Sequence, residues 1–310
     1  MTLIVCSISG GKDSHATALL AIKQHGRENV RLVTAHTGNE HEITEHFVRV
    51  DLPAQLGMQI DIVRADFSRD IARKRRFIER QWAKDGVPPD RIARALELLV
   101  PTGNPFLDLC MMKGRFPSRM AQFCTFFLKR MPLDAYVSAL INDLSTIEVW
   151  QGVRRDESEA RKDALDEEWA PEGWLIRRPI ASWTAQQVVD YIQAEGGRLN
   201  PLYSQGCSRV GCMLCINAKK DEIANCARRW PRHIARLREW ETLVSECSKQ
   251  GWTTFFCDGA EDGETNAEIF ERMKIDSRVR WARTRRGGRQ YDMMALLPAP
   301  VCVSSYGLCE

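Results

Sequence analysis

The chain predicts an α/β protein, a mainly parallel sheet with helices on its faces, followed by a cysteine-rich and mainly helical C-terminal part. Three observations carry this prediction. First, an apolar run at residues 2–8 (TLIVCSI), a helix pattern from Asp13 (DSHATALLAIKQH) and a second apolar run at 31–37 (RLVTAHT) have the spacing of a β-α-β unit. Second, MQIDIV at 58–63 and TIEVW at 146–150 continue the alternation, and near-continuous apolar runs suit parallel strands covered on both faces. Third, after Gly196-Gly197 strand signals become rare, cysteines crowd together, and a Trp- and Arg-rich helix pattern follows at 221–248.

Between the early strands and the late one lies residues 67–117. It holds the charged pattern IARKRRFIERQWAKDG, a PPD turn, the pattern RIARALELLV and a Pro/Gly-punctuated loop at 101–105. It reads as a helical cover over the ligand edge of the sheet, the strand ends where such folds bind. TAQQVVDYIQAE at 184–195 is a further amphipathic helix with Thr184 as its cap. The expected division is residues 1–198 as a nucleotide-binding domain, with 67–117 as its insertion, and 199–310 as a cysteine-cluster and basic region.

Composition narrows the classes. With 310 residues, 44% of them hydrophobic and 27% charged, the chain has ample material for a core, which excludes disordered and fibrous proteins. The net charge is only +3, so attraction to a polyanion must come from local clusters. No apolar run reaches the length of a membrane span, and no basic leader precedes the first strand, so the expectation is a soluble, cytoplasmic protein with no membrane partner. Eleven cysteines in a chain too large to need disulfide staples point to metal or redox work.

Ser9-Gly10-Gly11-Lys12-Asp13-Ser14 sits between the first strand and the first helix, where backbone N–H groups at the helix N-terminus receive phosphate oxygens. The glycines permit close backbone approach, Lys12 supplies a point charge, and Ser9 and Ser14 supply hydroxyls. A Walker A loop would need glycine at Cys6 and Ser or Thr at Asp13, so this is a different phosphate loop. SGGKDS after a first strand resembles the PP-loop of the adenine-nucleotide alpha hydrolases, a group that includes the phosphoadenylylsulfate reductases. The resemblance implies their Rossmann-like sheet, ATP with Mg2+ as ligands, and cleavage at the alpha phosphorus with Lys12 and Asp13 in catalytic roles.

Three later segments extend the resemblance, which covers roughly residues 1–218. His36-Thr37-Gly38-Asn39-Glu40 is similar to the family's Asp-Thr-Gly-x-Glu turn, implying nucleotide contacts from Thr37, Gly38 and Glu40, with His36 replacing the usual Asp. Gly152-Val-Arg154-Arg-Asp-Glu157-Ser158, with Arg161 after it, resembles the Gly-x-Arg-x-x-Glu-Ser segment. It implies nucleotide contacts from Arg154, Glu157 and Ser158 and catalytic roles for Arg154 and Arg161, since arginine forks onto phosphate or sulfate oxygens. Arg178-Pro-Ile through Trp183 resembles the family's Pro-Ile-x-x-Trp structural segment.

Cys207-x4-Cys212-x2-Cys215 places three thiols within nine residues, and C-x-x-C spacing lets two sulfurs reach one metal centre. For a fourth ligand, Cys124 in AQFCTFFLKRMPL resembles segments of iron–sulfur adenylylsulfate reductases and of phosphorothioation enzymes. The resemblance implies one [4Fe–4S] cluster on Cys124, Cys207, Cys212 and Cys215. Structural zinc is the alternative, because four thiolates suit it equally. Cys6 and Cys110 read as buried apolar thiols, and Cys226, Cys247 and Cys257 lack ligand-like spacing. Cys302 and Cys309 leave two readings, surface thiols or mobile sulfur carriers.

The chain ends in YGLCE, not the Glu-Cys-Gly-Leu-His of thioredoxin-dependent reductases, and Phe123 stands where iron–sulfur reductases have an adjacent cysteine. The resemblance is thus nearest to the iron–sulfur enzymes of bacterial DNA phosphorothioation (DndC-like or SspD-like). It implies an ATP pyrophosphatase that activates a nucleic-acid phosphate for sulfur incorporation, working with DNA or another nucleic acid, a cysteine desulfurase as sulfur source and other modification-complex subunits. The alternatives are a sulfonucleotide reductase releasing sulfite, a tRNA thiolation enzyme, and a non-catalytic nucleotide sensor in a defence complex. The basic helix at 67–76 and the arginines 278, 280, 283, 285, 286 and 289, interleaved with Trp281 and Tyr291, are candidates for nucleic-acid contact.

Overall fold

Six strands form one sheet: β1 (Thr2–Ser7), β2 (Val30–Ala35), β3 (Ile60–Val63), β4 (Thr146–Trp150), β5 (Glu167–Trp169) and β6 (Leu175–Arg177). Their order is β3-β2-β1-β4-β6-β5; every neighbouring pair is parallel except β5 with β6. The structure is a computed structural model and describes residues 2–141, 146–257, 261–285 and 290–291. The α/β reading therefore holds.

β1 is central, and Ile4, Val5 and Cys6 are wholly buried, which is why its sequence runs apolar without alternation. Ile4 and Cys6 face a cluster with Phe47, Leu52 and Trp150, while Val5 faces Val33, Val137, Val149 and Trp174. The chain leaves β1 for β2 on one side and later returns for β4 on the other. Such a reversal opens a crevice at the carboxyl ends of the strands. The short antiparallel β5–β6 pair was not visible in sequence, because β5 is exposed, β6 is only partly buried, and neither three-residue strand shows an apolar period.

The helices are α1 (Lys12–His25), α2 (Glu42–His46), α3 (Leu52–Leu56), α4 (Ser68–Phe77), α5 (Pro89–Leu98), α6 (Pro105–Lys113), α7 (Met131–Leu140), α8 (Ala185–Ala194), α9 (Lys220–Arg229), α10 (Pro231–Glu246), α11 (Asn266–Met273) and α12 (Ile275–Ala282). A short pair, β7 (Thr284–Arg285) and β8 (Gln290–Tyr291), follows. Wider helical turns at Phe47–Asp51, Ile78–Trp82 and Thr125–Arg130 link α2 to α3, extend α4 and lead into α7. Among the described residues no helix is long and apolar enough to cross a membrane.

The cap expected at Thr184 is present: its hydroxyl accepts the Gln187 N–H at 3.2 Å, and Gln187 Oε1 accepts the Thr184 N–H at 2.8 Å. The pattern at 221–248 is not one helix. Pro231 has no N–H to donate and restrains Trp230, so the chain breaks there into α9 and α10.

The largest apolar cluster joins the 67–128 stretch to residues 202–282. Phe106 stacks on Trp240 with ring centroids 5.5 Å apart, and Phe116 meets Phe255 edge-on at 5.4 Å. Such pairs each add ~1 kcal/mol beyond burial. The helical insertion and the C-terminal helices thus share one core beside the sheet.

Candidate functional site

The loop after β1 is built by its own side chains. Ser14 Oγ accepts the Ser9 N–H at 3.1 Å and donates to the Gly11 carbonyl at 3.0 Å, and the Ser9 and Ser14 hydroxyls lie 3.2 Å apart. Gly10 has φ +75°, and a Cβ there would stand 2.9 Å from methyls of Thr44 and Val48. Only glycine fits that position. The Lys12 N–H donates to the buried Tyr203 hydroxyl at 3.1 Å, and the Lys12 ammonium lies 5.7 Å from the Tyr203 ring centre. Asn200 Nδ2 donates to the Gly10 carbonyl at 3.3 Å.

Asp13 is held from two sides, by Lys12 Nζ at 3.3 Å and by Arg154 Nε at 2.5 Å. Arg154, only 3% exposed, also pairs with Asp156. Gly152 makes this approach possible, since a Cβ there would lie 2.6 Å from the Asp13 carbonyl carbon. The segment after β4 is thereby pressed onto the loop at the N-terminus of α1, whose first backbone N–H groups carry the helix's partial positive charge.

At the end of β2 the predicted turn braces itself. Glu40 accepts the Thr37 N–H at 3.1 Å, the Thr37 hydroxyl at 2.5 Å and the Gly38 N–H at 2.9 Å. His36 Nδ1 lies 3.0 Å from Glu45, and Gly38 (φ +83°) accepts from Asn104 Nδ2 at 2.8 Å, where the insertion touches the turn. Arg161 and Glu157 pair with each other at the surface, and Ser158 is exposed. Of the predicted residues after β4, Arg154 is the one joined to the loop.

A cleft opens between the loop and the cysteines, lined by Ser9, His36, Glu40, Arg49, Lys129 and Cys212 among others. A second cavity shares Lys129, Gly211 and Cys212 with it and adds Cys207 and Cys215. The cysteine segment is laced to the β2 turn: Met213 N–H donates to the Asn39 carbonyl at 2.8 Å, Asn39 Nδ2 donates to the Leu214 carbonyl at 2.9 Å, and Glu40 and Cys212 form an isolated β-bridge. Arg236 Nη2 donates to the Met213 carbonyl at 2.9 Å. Thr37 Oγ1 lies 3.8 Å from Cys212 Sγ.

Lys129 keeps solvent-accessible surface while standing amid these groups. Its ammonium is pulled above its ordinary range chiefly by Cys212, against burial, with Glu40, Cys215 and Cys124 adding to the pull. Burial pushes Cys212 up to about 11, and Cys207 and Cys226 up to about 12. The Asn217 N–H points at Cys215 Sγ at 3.5 Å. Among the described residues, the ligand-atom groups of three or more that close to within 4.8 Å are His36–Glu40–Glu45 and His41–Glu42–His233.

Cys6, Cys110, Cys226 and Cys247 are buried, and Cys257 is exposed. Arg278 packs 4.6 Å from the Trp281 ring centre. Arg286, Arg289, Cys302, Cys309 and the Tyr291 side chain lie outside the described residues. Sequence reasoning missed Tyr203, Asn200 and Arg236, and did not count Lys129 among the site residues. Tyr203 and Asn200 lie just before the cysteines in NPLYSQGC, so proximity was the available signal.

A glycine-bearing loop closing the first strand of a mainly parallel sheet, set at the strand-order reversal, places the molecule among open α/β proteins whose ligand crevice lies at the strand ends. The chain belongs to the phosphoadenosine phosphosulfate reductase family: residues 3–218 match the phosphoadenosine phosphosulfate reductase domain. It is 43% identical to the 37.8 kDa protein of the gpa 5′ region of Escherichia phage 186, across 100% of this chain and 97% of that one. It is 34% identical over 93 residues to the adenosine 5′-phosphosulfate reductase of Rhizobium tropici, taking in 29% of this chain and 52% of that one. Among solved structures, the phosphoadenylyl-sulfate reductase of Candida auris in its phosphate complex overlaps 69% of this chain and 83% of its own, with TM-score 0.44 and 16% identity.

Proposed function

We propose that the protein cleaves ATP to AMP and pyrophosphate at the Ser9–Ser14 loop and uses the adenylyl group to activate a nucleic-acid phosphate for sulfur incorporation, most specifically DNA phosphorothioation. The observation that carries this reading is that Ser9 of the loop and Cys212 line the same cleft, so phosphate-receiving donors and a thiol face one space. A phosphate oxygen of the acceptor attacks the alpha phosphorus, and the bond to the bridging oxygen breaks. Pyrophosphate departs toward Lys12 and the N-terminus of α1, which stabilise its charge. Mg2+ bound to the ATP would supply charge neutralisation for the leaving group. Arg154 orients Asp13 and, through Gly152, holds the loop's shape.

The residues that would hold a [4Fe–4S] cluster are Cys124, Cys207, Cys212 and Cys215. Two features support that assignment: Cys207, Cys212 and Cys215 line one cavity, and the cationic Lys129 and Arg236 beside it offset an anionic thiolate-bound centre. When bound, such a cluster supplies a redox-capable, sulfur-rich centre beside the cleft. A cysteine desulfurase as sulfur source, modification-complex subunits and a cytoplasmic setting belong to the same reading.

The matches to adenosine 5′-phosphosulfate reductases favour a second reading, release of sulfite from an adenylylated sulfate. Product analysis decides between them. AMP and pyrophosphate from ATP, with sulfur appearing in nucleic acid, support the first. Sulfite released from adenylylated sulfate with a thiol reductant, and no pyrophosphate from ATP, establishes the second.

A further inference from the structure

The cations of the basic helix α4 do different work. Arg75 donates to the Leu99 carbonyl at 3.0 Å and to that of Leu96, closing the end of α5, and Arg73 pairs with Asp70 at 2.6 Å. Lys74 instead faces a cavity of about 420 Å³ that it shares with Lys113 and Arg115. That size falls in the ~300–1,000 Å³ range of ligand pockets.

These three cations have aromatic neighbours where carboxylates would be expected. Lys74 lies 5.2 Å from the Phe77 ring centre, Lys113 4.6 Å from Phe127, and Arg115 5.7 Å from Phe123. Among the described residues, the one carboxylate on the cavity wall is Asp85, and Lys249 holds it at 2.9 Å. Burial, and then the nearby charge of Lys113, pull Lys74 below its ordinary range. Like charges gathered without counter-charge are stabilised by an incoming anion. Phe77 is 49% exposed and Phe126 48%, so ring faces stand open beside the cations. Phe126 and Phe127 lie on the Thr125–Arg130 turn, whose Lys129 lines the cysteine cleft.

We propose that this face, formed by Lys74, Lys113 and Arg115 and edged by Phe77 and Phe126, docks a single-stranded nucleic acid. Its phosphates lie on the cations and its bases stack on the open rings. An acidic peptide would satisfy the cations but leave the rings unused, and a duplex hides its base faces. The Thr125–Arg130 turn then guides the strand from this face toward the cleft. The inference rests on the nucleic-acid reading above for the identity of the acceptor, and on charge and exposed rings for the surface.

The test is fluorescence anisotropy of a labelled oligothymidylate and its ribose counterpart against a salt series, using the full chain. Replacing Lys74, Lys113 and Arg115 together by Ala should weaken binding and flatten the slope of log affinity against log salt by about two units, near 0.7 per lost contact. Phe77→Ala should weaken binding roughly tenfold with the slope unchanged, as loss of one stacked base requires. Lys113→Glu, at an exposed position, serves if the triple variant fails to fold, and Lys162→Ala, on a separate surface, should bind as the parent does. Parental affinity and slope in a folded triple variant or in Lys113→Glu overturn the docking face while leaving the ATP reading standing. Polyglutamate binding as tightly as the oligonucleotide also overturns it. ATP yielding ADP and orthophosphate defeats the functional reading instead, without touching the binding result.

Discussion

The two walls of the cleft are made in opposite ways. The loop wall is six consecutive residues whose bonds are largely internal, Ser9 to Ser14 and Ser14 to Gly11, with Arg154 and Tyr203 arriving from outside. The cysteine wall is assembled from segments around 124–129, 207–215 and 225–236, and it rests on the largest apolar cluster. A locally bonded wall keeps its shape wherever its ends are held. An assembled wall is only as stable as the core behind it.

The sharpest separation comes from variants that disable one wall and spare the other. Lys12→Ala, and Gly152→Ala through its clash with Asp13, should lower pyrophosphate release by at least ~10²-fold while metal content stays at the parental level. Conversely, serine at Cys124, Cys207, Cys212 or Cys215 should each cost the about four irons per chain that a cubane holds, measured after anaerobic purification, and Cys226→Ser should keep them. Zinc in place of iron would break the cluster assignment. Arg154→Ala leaves the mostly buried carboxylate of Asp13 with Lys12 as its remaining cation, and chemical denaturation should show a loss of about 2 kcal/mol.

Acid–base behaviour sharpens the comparison further, because the foundation of the cysteine wall contains a misplaced charge. Glu241 on α10 is 5% exposed, accepts the Phe255 N–H at 2.8 Å and the Ile275 N–H at 3.0 Å, and is raised by burial from 4.5 to about 7. The folded chain keeps this proton where the unfolded chain releases it. Its stabilisation is therefore full below pH 4.5 and is lost as pH rises through about 7, a change of about 3 kcal/mol. His41 and His233, both lowered to about 4 chiefly by burial, act in the opposite sense, since their stabilisation is lost as pH falls below 6.5. The difference between parent and Glu241→Gln unfolding curves across pH isolates the first term. The smallest effect belongs to Thr184→Ala, which removes a cap on the sheet side and should cost about 1 kcal/mol without changing either wall.

This contrast also explains what could be read in advance. The loop, the strands around it and the Thr184 cap were legible because each depends on neighbours a few residues away. Arg154 was legible through its motif, though not its grip on Asp13. Lys129, Arg236 and Tyr203 act across long sequence separations, and only the packed core decides which side chains meet there. The β5–β6 pair escaped because it buries too little to leave a pattern. The break at Trp230–Pro231 was visible as a proline but was overridden by the surrounding helical composition.

One amide gives the cleft a further property. Asn39 sits in the turn after β2, yet its carbonyl and its side chain both bind the backbone that carries Cys212 and Cys215. If the thiols hold the proposed metal and the loop the proposed nucleotide, thermodynamic reciprocity applies: whatever factor the nucleotide applies to metal affinity, the metal applies to nucleotide affinity. Titrating nucleotide into metal-loaded and metal-stripped protein reads out that coupling constant, and replacing Asn39 by Ala should drive it toward unity.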